Sequence, residues 1–91
     1  MKLSALLQLR KTIDMLDGRL LRLIAARQRL AVAVAREKRR HGIPIRDKKR
    51  EQEVIQNRQE NGESLGIDRH VTKQLFTILI VESKRIQGDE I

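Results

Sequence analysis

From Leu3 to Arg40 the chain runs for 38 residues with no proline and a single glycine, Gly18. Apolar residues recur along it at alternating steps of three and four: Leu6, Leu9, Ile13, Leu16, Leu20, Leu23, then Leu30 and Val34. That spacing describes one long helix with a narrow apolar seam. Two seam positions are polar, Arg27 where a leucine is expected and Glu37 near the end. A guanidinium in an apolar seam is costly unless an anion meets it. The pattern thus demands a long helix and a partner anion, and leaves the anion open.

A continuous helix of this span is ~57 Å long. A compact chain of 91 residues has a radius of gyration of only ~12 Å. Gly18 costs ~1 kcal/mol against alanine, which weakens the helix without ending it. The seam cannot be covered by the rest of so short a chain, and long exposed apolar stripes mark partner contacts. The expectation is an intertwined two-fold homodimer, with two long helices packed together and the shorter helices wrapped around them.

The remainder reads as two more helices and no strand, an all-α chain forming one domain over 1–91. Ser4 is the expected N-cap of the first helix. His41-Gly42-Ile43-Pro44 is a turn, with Gly42 near C′ and Pro44 just beyond. A second helix is expected from Arg46 or Asp47 to about Asn61, stopped by Gly62, with Val54 and Ile55 on its buried side. Asp68 caps a third helix, which buries Val71, Leu75, Ile78, Leu79 and Ile86 and ends at Gly88. With one Phe and no Trp or Tyr, the core must be aliphatic.

The chain carries no Cys, which excludes disulfides, thiolate metal sites and cysteine nucleophiles. No run approaches the ~20 apolar residues of a membrane span, and the N-terminus lacks a signal-peptide core. A cytoplasmic protein is expected. The net charge is +8, densest from Arg36 to Arg50, where eight basic residues face Glu37 and Asp47. Such a balance favours anionic partners: nucleic acid, acidic lipid or a small polycarboxylate.

Three cations stand out on the long helix: Arg10, Arg27 and Lys38. Arg27 and Lys38 share a face, ~16 Å apart along the axis, so their side chains can pinch a ligand of metabolite size. Arg10 lies ~25 Å from Arg27 along the helix. Within one chain it does not easily touch the same ligand; in an antiparallel dimer the partner's Arg10 can come back to this site, which suggests two identical sites each built from both chains. Asp47, Arg50 and Glu51 share a face of the second helix. Ser83 and Gln87 form an i,i+4 polar pair on the third, where the Gln87 amide is a hydrogen-bond donor. Singly, most of these residues read as ordinary surface charge, and Arg27 has a bland alternative in an intermolecular ion pair. His41 and His70 flank turns and read as surface residues with no metal spacing. No Ser-His-Asp set or glycine-rich phosphate loop occurs.

The sequence resembles the all-α class of chorismate mutase over essentially its whole length. The resemblance is carried by Leu9-Arg10, Ile13, Leu16-Asp17, the stretch Leu20-Leu21 to Ala26-Arg27, Arg29-Leu30-Ala31, Lys38, Gly42-Ile43-Pro44-Ile45-Arg46-Asp47, Arg50-Glu51, Glu82-Ser83 and Gln87. It implies a homodimeric isomerase without a cofactor that converts chorismate to prephenate. It further implies that Arg27 and the partner's Arg10 hold the two carboxylates, assisted by Arg50 and Ser83. Lys38 and Gln87 donate to the ether oxygen. Asp47, through its backbone or side chain, and Glu51 address the ring hydroxyl. Because few residues follow Gln87, the last turn is expected to fray without ligand.

Two other functions fit parts of this pattern. Isochorismate-pyruvate lyase uses the same fold and breaks a similar C–O bond; Asp47, Arg50 and Glu51 favour the mutase. A basic nucleic-acid-binding dimer fits the charge but lacks an aromatic stacking platform. A purely structural coiled-coil dimer is a third option, for which Arg27 would be only a defect in the seam.

Overall fold

The computed structural model describes residues 2–88. It contains three helices, α1 (Lys2–Arg40), α2 (Lys48–Ser64) and α3 (Arg69–Ile86), with no strand among the described residues. The chain divides into two compact units, one ending at Leu30 and one beginning at Ala31. α1 runs through the division as one element, and Gly18 does not interrupt it. It is already helical at Lys2, so Ser4 lies inside the first turn instead of capping it. Lys2 and Leu3 are good helix formers, and nothing in that stretch forces a start at Ser4.

Each helix end has a local cause. Gly42 has φ +67°, and Ile43 N–H donates to the Lys38 carbonyl at 2.8 Å while Gly42 N–H donates to Arg39 at 3.3 Å. This paired arrangement closes α1 and satisfies its last carbonyls. The Asp47 carboxylate opens α2 by accepting from Arg50 N–H at 3.0 Å. Asp68 opens α3 by accepting from His70 N–H at 2.8 Å and Val71 N–H at 3.3 Å.

α2 does not stop at Gly62. It continues to Ser64 and is closed by Gly66 (φ +81°), with Ile67 N–H donating to the Gly62 carbonyl at 2.8 Å. Gly62 is buried, and a Cβ there would lie 2.6 Å from Thr72 Oγ1. The glycine therefore serves close approach of α2 to α3, which pack against each other, and is not a helix terminator.

The core of the single chain is thin. Among the described residues the buried apolar side chains are Ala31, Ala35 and Val54, and no large side chain is fully buried. Val71, Leu75 and Ile78, expected inside, are exposed, while Ile55, Leu79 and Ile86 are half-buried. The seam of α1 is bare from Leu6 to Val34, with Leu23 and Leu30 exposed to 68% and 66%. The helical spacing of these residues is as read from the sequence. What the isolated chain lacks is a surface to cover them.

Candidate active site

Six of the eight candidate residues lie in the second unit, where three helix termini are tied together. Arg39 Nη2 donates to the Gln87 carbonyl at 2.8 Å, joining the C-terminal end of α1 to that of α3. Lys84 Nζ donates to Glu51 Oε1 at 3.1 Å, joining α3 to the first turn of α2. Lys38 Nζ donates to the Ile45 carbonyl at 2.8 Å, across the turn that leads into α2. Lys38, Glu51, Ser83 and Gln87 are thus on or beside residues that join these ends.

Gln87 is the most informative of them. It caps α3, with its N–H donating to the Ser83 carbonyl at 3.0 Å. It is only 8% exposed, yet its side-chain amide makes no hydrogen bond among the described residues. Buried amides normally have partners, so an amide with none among the described residues is a candidate donor to a ligand. Arg39 Nη2 is also a contact from α1 to the last turn of α3.

Glu51 is half-buried and lines a cavity of about 490 Å³ between α2 and α3, together with Ile55, Thr77, Ile80 and Val81. Its carboxylate is held by Lys84, and each side chain of the pair is about a quarter exposed. Ser83 is half-buried on the same helix as Lys84. Asp47 and Arg50 are exposed. One Asp47 carboxylate oxygen serves the helix cap, and the Asp47 carbonyl accepts from Glu51 N–H at 3.0 Å. Arg85 hydrogen-bonds the Glu82 carboxylate and holds it below the usual carboxylate range.

Arg10 and Arg27 lie on the part of α1 that belongs to the first unit. Arg10 is exposed; Arg27 is half-buried. Arg39 and Lys84 were not among the residues singled out from the sequence. Both act through pairings of 48 and 33 residues' separation, and nothing in local spacing announces such pairs. Among the described residues no cluster of His, Cys, Asp or Glu is arranged to hold a metal ion. No helix among them is long and apolar enough to cross a membrane.

Residues 9–88 match the family described as chorismate mutase type II, and the match includes all eight candidate positions. A chorismate mutase from Methanocaldococcus jannaschii is 35% identical over 85 residues, covering 93% of this chain and 86% of that protein. Bifunctional chorismate mutase/prephenate dehydratases are also similar. That of Enterobacter agglomerans is 40% identical and that of Escherichia coli (strain K12) 37%, each over 80 residues and 88% of this chain. The chain spans only 21% of the length of either bifunctional protein. The chain belongs to the chorismate mutase type II family.

Proposed function

We propose that this protein converts chorismate to prephenate, in the biosynthesis of the aromatic amino acids, as one mutase domain acting in the cytoplasm as a homodimer. The observation that carries the reaction is the family match over residues 9–88. The bare seam of α1 supports the dimer. Burying a leucine-sized side chain stabilises by ~1.5–3 kcal/mol, and a second copy of α1 offers the matching stripe.

The reaction is a concerted [3,3] rearrangement and needs no nucleophile. The protein has to hold a flexible dianion in a compact chair-like form and to stabilise negative charge growing on the breaking C–O bond. In this reading Arg27 of one chain and Arg10 of the partner subunit grip the two carboxylates, since an arginine fork binds both oxygens of a carboxylate. Arg50 and Ser83 assist. Lys38 gives up its bond to the Ile45 carbonyl and donates to the ether oxygen, with the Gln87 amide beside it. Glu51, steadied by Lys84, and the Asp47 backbone address the ring hydroxyl. An electrostatic site of this kind acts through donors placed before the charge develops. The buried Gln87 amide, which has no partner among the described residues, supports that role.

Absorbance decay of chorismate, with separation of the products, tests the reading. Prephenate as the product supports it. Salicylate and pyruvate from isochorismate, with no chorismate turnover, would assign the lyase reaction instead. Steeply salt-dependent DNA binding without turnover would give the Arg36–Arg50 segment a nucleic-acid role.

A further inference from the structure

We infer that Arg39 is a positioning residue for Gln87, holding the last turn of α3 so that the Gln87 amide stands ready beside Lys38. The inference rests on the reading above that Gln87 donates to the ether oxygen.

The last carbonyls of a helix have no partner within it and carry partial negative charge. Among the described residues, Lys84, Arg85 and Arg39 are cations beside the end of α3. Lys84 is engaged by Glu51 and Arg85 by Glu82. The Gln87 carbonyl instead receives Arg39 Nη2 at 2.8 Å. Gly88 follows with φ +87°, a conformation that side-chain-bearing residues rarely adopt, and a Cβ there would stand 3.4 Å from the same Nη2. The guanidinium therefore lies directly beside the terminal turn.

The consequence concerns alignment. Arg39 follows Lys38 directly on α1. One residue supplies an ammonium, and its neighbour fixes the segment that supplies the amide. A donor that must meet a developing charge loses most of its effect when displaced by a fraction of an ångström to an ångström. The neighbouring Arg40 pairs with Glu37 on the exposed side, so adjacent arginines here have separate tasks.

The test compares Arg39→Leu, Arg39→Lys, Gln87→Ala and the double variant Arg39→Leu/Gln87→Ala in the intact chain. Turnover constants and amide exchange of residues 84–88 are read together. Gln87→Ala keeps the main-chain carbonyl, so the Arg39 contact survives in that background. Arg39→Leu should lower kcat on the order of tenfold to a hundredfold, with KM changed by less than about twofold because ground-state binding is untouched, and should speed exchange in the last turn. Arg39→Lys, which can still donate to the carbonyl, should recover most of kcat. In the Gln87→Ala background, the leucine should cost less than about twofold more. An equal loss in both backgrounds would overturn the inference, because Arg39 would then act on something other than Gln87. Unchanged kcat in Arg39→Leu would also overturn it. Full activity of Gln87→Ala would instead remove Gln87 from the reaction, and the underlying reading with it.

Discussion

At the scale of single residues, the proposed site rests on donors that are already oriented or already buried. Lys38 donates its ammonium to a backbone carbonyl of the neighbouring turn, which holds the side chain in place until substrate exchanges for that carbonyl. Lys38→Ala should therefore raise the barrier by about 3–4 kcal/mol, the size seen when one preorganised oxyanion donor is removed. Steady-state kinetics would show it as a loss in kcat; a change confined to KM would contradict it. Gln87→Glu has a pH signature. Burial raises a carboxyl's pKa because it penalises the charged form. Below that pKa the new acid is neutral and can donate, whereas above it the carboxylate repels the growing negative charge. Activity should survive at acidic pH and fall as pH rises through the new group's pKa. A pH-rate profile identical to that of the parent protein would exclude Gln87 from contact with the breaking bond.

At the scale of helices, much was readable in advance because caps are local. Asp47, Asp68 and Gly42 each act within about one turn of their own positions, so their chemistry is visible in a short window of sequence. Gly62 was misread for the complementary reason. A glycine that ends a helix and a glycine that lets two helices touch look alike until the second helix is in place, and only Thr72 distinguishes them. Ser4 fell to the same ambiguity, since a serine with helix formers before it need not be a cap. Arg39 and Lys84 escaped notice because their partners lie on other helices. Gly62→Ala should destabilise the chain by about 1–3 kcal/mol, as overpacking does. Thr72→Ala removes the oxygen that the new methyl would meet, so the double variant should lose less than the sum of the two single losses. Denaturant titration measures both; strict additivity would mean that α2 and α3 adjust without strain.

At the scale of the whole molecule, the apolar surface left bare along α1 has to be accounted for. A dimer would cover the seam, and in the proposed site it would bring together cations from far-apart positions of one helix. If folding and association are linked, the thermal midpoint should rise with protein concentration; a midpoint independent of concentration well below any dimer dissociation constant would argue for a self-sufficient monomer. Arg27→Leu separates site from scaffold. Filling the seam with leucine should leave stability unchanged or higher while turnover collapses, whereas retained turnover would make Arg27 a structural residue. The shared site itself has one direct test, complementation between Arg10→Ala and Arg27→Ala. Each variant alone should be nearly inactive. After joint unfolding and refolding in equal amounts, half of the dimers carry one chain of each kind, and one of their two sites is intact, so activity should recover to about a quarter of that of the parent protein. A mixture no more active than its separate components would contradict a site built from two chains.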